Sequence, residues 1–266
     1  MHAYVINLIR SPERRVHMAA ELGKVGIDYE FVDGVDGRDL DITDPQVIEP
    51  SLLETAWFRP GIAGCAFSHL RVYEKVLADD VDWALVLEDD VKLPNDLTRL
   101  VESVVKQMNG AEITVLAPLS PDVCKMSRHG LIRLSSGRQL VLPINVHEVG
   151  CSAAYVITRD ACKRMVECIV PFQARPDDWG HFFDLEALDR VRCVMPPPVH
   201  QHPRFASTIV YHDQDGAKAR ILEFMERYHI SFLNPLIEYR RSRFLRKFSR
   251  FKLVDEPFVA SPSRLD

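Results

Sequence analysis

Residues Trp83 to Asp90 read Trp-Ala-Leu-Val-Leu-Glu-Asp-Asp, and this stretch decides both the fold and the place of the site. Its five apolar residues predict a strand that is buried on both faces, as in a parallel or mixed sheet. Three carboxylates, Glu88, Asp89 and Asp90, follow where the strand ends. Ligands of open α/β sheets bind beyond the carboxyl ends of the strands. The sequence therefore predicts a ligand site at this point.

The three adjacent acids predict a bound cation. They repel one another and cost stability unless a positive charge binds beside them, and a hard divalent cation that holds phosphate oxygens suits them. Glu88 and Asp90 are one residue apart, so an extended chain directs both to the same side. This spacing is typical of a site for a metal–diphosphate. The alternative is an acidic turn in which Asp89 or Asp90 caps a helix.

Composition narrows the class of protein. The chain has 266 residues, of which 47% are hydrophobic and 27% are charged, which is typical of one large globular domain with or without an appendage. The sequence has no run of about 18 apolar residues, so no membrane span is expected. The first residues do not resemble a secretory signal. The six cysteines show no zinc spacing, so we predict reduced thiols and a cytoplasmic location.

The C-terminal region is strongly basic. Seven Lys or Arg residues and no acid lie between Arg240 and Lys252, whereas the whole chain has a net charge of −5. Phe244, Leu245, Phe248 and Phe251 would share one face of a helix. We predict that residues 236 to 253 form a basic amphipathic helix that lies on an anionic membrane surface. The alternative is a charged tail that packs on the domain. Nucleic-acid binding is not expected, because the rest of the chain is acidic.

The order of elements predicts the fold class. Strands and helices alternate early in the chain, which indicates an α/β fold with a largely parallel sheet and one nucleotide-type site. No glycine-rich phosphate loop follows the first strand, so a metal would have to hold any phosphates. Residues 131 to 134 and 139 to 142 predict a hairpin. Helices are predicted around 182 to 188 and 217 to 228. We place a main domain at residues 1–215 and a helical region at 216–266.

Several separated segments match one family. They are residues 4–8 with Arg10-Ser11 and Arg14-Arg15, residues 61–69 (Gly-Ile-Ala-Gly-Cys-Ala-Phe-Ser-His), residues 84–90, Gly150 with residues 154–159, Pro176-Asp177-Asp178, and Gln201 with residues 207–209. In these segments the chain resembles glycosyltransferase family 25, which builds the outer core of lipooligosaccharide or lipopolysaccharide and is related to the collagen galactosyltransferases. The resemblance covers about residues 1 to 210.

The resemblance implies a function. It implies a GT-A fold, in which a single-domain mixed sheet is flanked by helices, and a nucleotide-sugar donor, most often UDP-galactose, with Mn²⁺ or Mg²⁺. It also implies inverting transfer of a hexose, giving a β-linkage, to a lipid-linked oligosaccharide at the cytoplasmic face of the inner membrane. One departure is the double acid Asp177-Asp178, where family members often have a single acid.

Two acids of the triplet and two histidines are the predicted metal ligands. Asp90 is the preferred ligand and Glu88 the second, while Asp89 faces the other way and would cap a turn or bind ribose. A distal histidine often completes the metal shell in GT-A enzymes, which makes His200 and His202 candidates. The alternative is that neither histidine binds metal.

The catalytic base is predicted at the double acid. Inversion needs a base on the acceptor hydroxyl, opposite an oxocarbenium-like transition state. Asp177 and Asp178 are the candidates, and Asp178 is narrowly preferred because an acid at a helix start faces the acceptor in many GT-A enzymes. The alternative is that these acids cap the helix ahead of Phe182.

Donor contacts are predicted after the first strand. Asn7, Arg10, Arg14 and Arg15 follow it, and arginine forks suit phosphate oxygens. The alternative is a solvated helix face, which we expect for at least one of Arg14 and Arg15.

Further donor contacts are predicted elsewhere in the chain. Asp33 and Asp36 end the second strand, where uridine or ribose sits in this fold, although simple turn chemistry explains them equally well. Ser68 and His69 lie in a helix that faces the sheet, either as donor contacts or as a satisfied buried pair. Gln201 would contact the diphosphate or the sugar.

Two other classes of function stay open at this point. The same acids would serve a metal-dependent nucleotidyltransferase or phosphohydrolase, which needs no sugar acceptor. A non-catalytic protein that binds nucleotide sugars is the alternative outside enzymes.

Overall fold

The fold is seen in a computed structural model, which describes residues 2–134, 137–205, 239, 242–243 and 247–258. The strands of these ranges are, in chain order, β1 (His2–Asn7), β2 (Asp28–Asp33), β3 (Trp83–Glu88), β4 (Val91–Lys92), β5 (Glu112–Val115), β6 (Cys124–Arg133), β7 (Gln139–Pro143), β8 (Ala154–Thr158), β9 (Arg190–Met195), β10 (His200–Gln201) and β11 (Phe251–Val254). The α-helices of these ranges are α1 (Pro12–Val25), α2 (Pro60–Ala78), α3 (Leu97–Val105), α4 (Arg159–Ile169) and α5 (Trp179–Asp184).

The described strands form one large sheet with helices on both faces. The sheet order is β11-β6-β7-β9-β5-β8-β3-β1-β2, and β4 pairs separately with β10. The apolar strand β3 lies well inside the sheet. Ala84 and Val86 pack on one face with residues of α2 and α4, whereas Leu85 and Leu87 pack on the other with residues of α1 and α3. The predicted α/β class and the mixed sheet flanked by helices are confirmed.

The sheet is less parallel than the early alternation of elements indicated. β1 and β2, β1 and β3, β5 and β9, and β6 and β11 pair in parallel, whereas the other four pairs of the large sheet are antiparallel. The central strand β8 runs against both of its neighbours, β3 and β5. The chain reaches β8 from the hairpin of β6 and β7 rather than through a helical crossover, and antiparallel neighbours need no such crossover. The predicted hairpin itself is confirmed.

The described part of the C-terminal region corrects one expectation. Phe251 was expected on the face of an amphipathic helix, but it begins β11, which pairs in parallel with β6. Phe251 and Leu253 pack against the main core while Lys252 is exposed. This alternation has the period of a strand. The prediction of a helix at residues 236 to 253 did not take it into account. Residues 206–238, which include the helix predicted at 217 to 228, lie outside the described residues, as do Phe244 and Leu245.

No helix of the described residues is both long enough and apolar enough to cross a bilayer.

Candidate active site

The sheet directions bring several segments to one edge. β1, β2 and β3 are parallel, so Asn7, Asp33 and Glu88 all end their strands at the same edge. β8 is antiparallel to β3, so the residues just before β8 meet that edge too. The backbone N–H of Glu88 donates to the carbonyl oxygen of Ala153 at 2.8 Å. The acid triplet therefore faces the segment that enters β8.

Asp89 is held entirely by the protein. Its Oδ2 accepts from Asn7 Nδ2 at 2.7 Å, and its Oδ1 accepts from Arg14 at 2.7 Å. All three side chains are buried. Burial raises the pKa of Asp89, and the charge of Arg14 opposes this rise. Asp89 was expected to cap a turn or bind ribose, but both of its oxygens already have partners in helix α1 and strand β1.

Asp90 is placed differently. Its Oδ2 lies 3.5 Å from an Arg14 nitrogen, whereas its buried Oδ1 has no hydrogen-bond partner among the described residues. Burial, followed by the negative charge of Glu88, raises the pKa of Asp90 to about 7. An unpaired buried acceptor costs free energy. Unlike Asp89, Asp90 therefore has an oxygen left for a ligand.

Glu88 is ionised and oriented. Its Oε1 accepts from Ser152 Oγ at 2.8 Å and lies 3.5 Å from His69 Nε2. Burial acts to raise the pKa of Glu88, but its contact with His69, the hydrogen bond from Ser152 and the charge of Arg14 outweigh burial and lower it. His69 Nδ1 lies 2.7 Å from the hydroxyl of Tyr155. His69 thus contacts Glu88 from the core rather than facing outward.

These carboxylates fit a hard divalent cation. The unpartnered oxygen of Asp90 and the ionised Glu88 are oxygen donors of the kind that Mn²⁺ and Mg²⁺ prefer. Among the described residues, the donor atoms of Cys65, His69 and Glu88 also lie within 4.8 Å of one another. Burial raises the pKa of the Cys65 thiol well above its usual range, and hard cations such as Mn²⁺ and Mg²⁺ prefer oxygen to thiol ligands. Glu88 and Asp90 are therefore the residues whose oxygens could hold such a cation.

The two candidate histidines lie in the segment that pairs with the residues after Asp90. β10 pairs with β4, and the backbone N–H of His202 donates to the Asp90 carbonyl oxygen at 2.6 Å. The His202 ring packs edge-on against His17 at 5.0 Å, and its Nδ1 accepts from the N–H of Arg204. His200 is exposed on the same short strand. The structure therefore brings His202 into backbone contact with Asp90, whereas Gln201 and His200 pair with the two residues that follow the triplet.

The double acid divides into two roles. Asp178 caps helix α5, because its Oδ1 accepts from the N–H of His181 at 3.1 Å. Asp177 instead points to the segment before β8, where its Oδ2 accepts from the N–H of Cys151 at 2.9 Å. Burial raises the pKa of Asp177, and the charge of Glu88 adds to the rise. Capping by Asp178 also explains why α5 begins at Trp179, three residues before the predicted start.

The remaining candidates lie at the β2 side of the edge. Arg10 and Arg38 both pair with Asp36, at 2.6 Å each, and these pairs together hold the pKa of Asp36 well below its usual range. Arg15 lies 3.7 Å from the exposed Asp33. Four predicted donor contacts thus pair with acids or bases on this side of the edge rather than with the acid triplet: Arg10, Arg15, Asp33 and Asp36.

Ser68 supports that side of the edge from within. Its Oγ accepts from the N–H of Val35 at 2.8 Å and donates to the carbonyl oxygen of Gly64 at 2.6 Å. A Cβ on Gly64 would approach the backbone N of Gly37 to 2.6 Å. Ser68 is therefore the satisfied buried residue of the predicted pair, and it fixes the loop after β2 against α2.

A comparison with known protein families shows the family of this chain. The model of glycosyltransferase family 25, described as an LPS biosynthesis protein, matches residues 1–179. The chain belongs to glycosyltransferase family 25. The match contains the acid triplet and both residues of the double acid.

Individual relatives agree with this family. A putative glycosyltransferase of Haemophilus influenzae is 26% identical over 78% of this chain and 75% of its own length. The lacto-N-neotetraose biosynthesis glycosyltransferase LgtE of Neisseria meningitidis serogroup B is 24% identical over 95% of this chain and 91% of its own. A glycosyltransferase 25 family member of Aedes aegypti is 37% identical over 39% of this chain. This chain spans only 18% of the mosquito protein's length.

One feature of this family 25 chain was missed from the sequence. Arg14, His17 and Glu21 lie on one face of α1, at helical spacing. His17 Nε2 lies 2.8 Å from the carbonyl oxygen of Val91, and Glu21 Oε2 accepts from the N–H of Leu93 at 2.9 Å. Together with Arg14 on the acids, this face holds residues 89 to 93 along their length. The signal was the polar spacing within α1, whereas Arg14 was considered as a phosphate contact or as part of a solvated helix face.

Proposed function

We propose that this chain is a metal-dependent, inverting glycosyltransferase. It would transfer a hexose, galactose from UDP-galactose, in β-linkage to a lipooligosaccharide or lipopolysaccharide outer-core acceptor. The observation that carries the proposal is Asp90, whose buried Oδ1 has no partner among the described residues at the end of β3. A strand-end carboxylate with an open oxygen, next to the ionised Glu88, suits a cation that holds a diphosphate.

Different side chains have different roles in the proposed reaction. Glu88 and Asp90 would hold the cation, which supplies Lewis acidity to the departing diphosphate. Arg14 and Asn7 keep Asp89 fixed, so the triplet keeps its shape when ligands exchange. In the transfer step, the acceptor hydroxyl oxygen forms a bond to the anomeric carbon, the bond from that carbon to the diphosphate oxygen breaks, and the hydroxyl proton moves to a carboxylate.

Asp177 is the better base, contrary to the narrow preference for Asp178. The Asp178 carboxylate is used as the cap of α5. The Asp177 carboxylate faces the triplet side, and its raised pKa makes it a stronger proton acceptor once it is ionised. Its hydrogen bond from the N–H of Cys151 leaves Oδ1 for the acceptor hydroxyl.

The names of the family and of one relative support the proposed class of acceptor. The family is described as LPS biosynthesis proteins, and the Neisseria relative is named for lacto-N-neotetraose biosynthesis. These descriptions support a sugar acceptor on a lipid-linked oligosaccharide. The exposed basic residues Arg243, Lys247 and Arg250 support a peripheral position on an anionic inner-membrane surface. Residues 251 to 254 are not part of an amphipathic helix, because they belong to the sheet.

The test of the proposed function is transfer by an Asp90 variant. Asp90→Asn should abolish transfer from UDP-galactose in Mn²⁺ while the protein stays folded, and Asp28→Asn, at the exposed far end of β2, is the matched control. Product is measured with and without acceptor, because a hydrolase releases sugar without one. Wild-type transfer by Asp90→Asn would refute the cation site. Sugar release that is independent of acceptor would favour a hydrolase instead.

A further inference from the structure

Three side chains of different chemistry meet at the end of β3. Cys65 and His69 are four residues apart in α2, so they lie on one face of that helix, and Glu88 ends the strand beside them. The Cys65 sulfur, a ring nitrogen of His69 and a carboxylate oxygen of Glu88 all lie within 4.8 Å of one another. The proposed Mn²⁺ or Mg²⁺ site uses Glu88 but gives the thiol and the imidazole no role.

His69 is held in the way that metal-binding histidines are held. Its side chain is only 1% exposed, and its Nε2 has no hydrogen-bond partner among the described residues. The other ring nitrogen, Nδ1, lies 2.7 Å from the hydroxyl oxygen of Tyr155, and Tyr155 donates its own hydrogen to Tyr73 at 3.0 Å. The Tyr155 oxygen can therefore accept from Nδ1. Such a bond fixes the ring and leaves Nε2 for a metal ion.

The distances suit a tetrahedral zinc ion. Nε2 of His69 lies 3.5 Å from Oε1 of Glu88, and nitrogen and oxygen ligands at about 2.0–2.1 Å from zinc are about 3.3–3.4 Å apart. A sulfur ligand at about 2.3 Å from the same ion lies about 3.6 Å from either of them. Because the Cys65 sulfur is already within 4.8 Å of both atoms, a small movement of side-chain ends completes the site. Three protein ligands leave the fourth position for water.

The mixed chemistry of the three ligands selects the kind of cation. A thiolate, an imidazole and a carboxylate suit a borderline-soft ion such as Zn²⁺, whereas Mn²⁺ and Mg²⁺ prefer oxygen ligands. The Cys65 thiol gives its proton to the buffer when the ion binds, as coordinating thiols do. Ser152 donates to Glu88 at 2.8 Å and so orients the carboxylate. The Glu88 side chain is 24% exposed, which gives an ion a path into the site.

We propose that Cys65, His69 and Glu88 form a second cation site, which takes Zn²⁺ and lies next to the candidate Mn²⁺ site. The two sites share Glu88, so an ion bound to the thiol and the imidazole withdraws this carboxylate from the cation that holds the diphosphate. Zinc therefore opposes Mn²⁺ binding at Asp90. The zinc site itself depends only on its three side chains, whereas the competition with Mn²⁺ rests on the proposed function.

The test uses Co²⁺ as a visible substitute for Zn²⁺, because a bond between Co²⁺ and a thiolate gives a charge-transfer absorption in the near ultraviolet. Co²⁺ is titrated into the full chain under reducing conditions, and Zn²⁺ is then added to displace it. Cys65→Ser removes the sulfur ligand, and Cys168→Ser is the matched control, since it changes a second partly buried thiol outside this cluster. Thermal melting checks the folding of each variant, and Cys65→Ala serves as the apolar substitution if Cys65→Ser unfolds.

The expected result is a sulfur-to-cobalt absorption that depends on Cys65. The wild type and Cys168→Ser should bind one Co²⁺ with this absorption, and an equivalent of Zn²⁺ should remove it. The Cys65 variant should lack the absorption and bind Zn²⁺ at least about 100-fold more weakly, because even the groups behind metal ligands contribute about 10–100-fold. Absence of the absorption in the wild type, or its persistence without Cys65, would overturn the inference. Neither result depends on Mn²⁺ binding at Asp90, so the zinc site and the proposed function fail separately.

Discussion

Replacing Arg14 by methionine removes the positive charge that lies between two buried acids but keeps an apolar stem. Arg14 is 2.7 Å from Asp89 and 3.5 Å from Asp90, and its side chain is only 8% exposed. Loss of one partner from a buried ion pair costs about 3–5 kcal/mol, because the remaining charge stays buried. At about 2–4 °C per kcal/mol for a domain of this size, Tm should fall by about 6–20 °C. Differential scanning calorimetry in the presence of a chelator measures this.

The neighbouring Arg15 provides the matched control for this experiment. Arg15 is 47% exposed and lies 3.7 Å from Asp33, which is 56% exposed, so Arg15→Met should cost no more than about 1 kcal/mol. Adding Asp89→Asn to Arg14→Met should recover part of the loss, because it removes one of the unpaired charges. Equal losses for the Arg14 and Arg15 variants, or no recovery in the double variant, would refute the role assigned to Arg14.

Three further outcomes are expected. The folded state holds the Asp90 proton more tightly than the unfolded state. The free energy of unfolding in chelator should therefore fall as the pH rises from about 4 to about 7, and urea titrations should show a flatter slope for Asp90→Asn. An unchanged slope would contradict this assignment. Asp177→Asn should lower kcat by about 10²–10⁴-fold. Asp178→Asn should keep both turnover and stability, because asparagine caps a helix as well as aspartate does. The reverse pattern would make Asp178 the base. Replacing Arg243 and Lys247 by glutamine should weaken flotation with anionic liposomes at low salt and leave transfer to a soluble acceptor unchanged, and undiminished flotation would exclude these residues as the membrane contact.

The sequence was most informative where one pattern has one structural solution. The apolar run from Trp83 to Leu87 leads to a strand covered on both faces, and the strand end fixes where Glu88 and Asp90 lie. The direction of β8 could not be predicted in the same way, because an apolar strand fits either direction. Phe251 was assigned to a helix because a short run of apolar and basic residues fits both periods, and only packing against the core selects the strand.

Side-chain roles within the site depended on pairings across the chain. The difference between Asp177 and Asp178 is a single residue in sequence, but one accepts from Cys151 and the other caps α5. Similarly, Asp89 and Asp90 differ because Asn7 and Arg14 reach the first of them with two short hydrogen bonds. These choices follow from tertiary distances of 2.7–3.1 Å, which spacing alone does not encode.

Anomalous diffraction at the manganese edge, from crystals soaked in Mn²⁺ and UDP, tests the cation site most directly. We expect an anomalous peak in contact with the Asp90 carboxylate, beside Glu88 and bridged to the diphosphate. A manganese peak remote from the end of β3, or bound diphosphate without manganese at Asp90, would contradict the proposed chemistry.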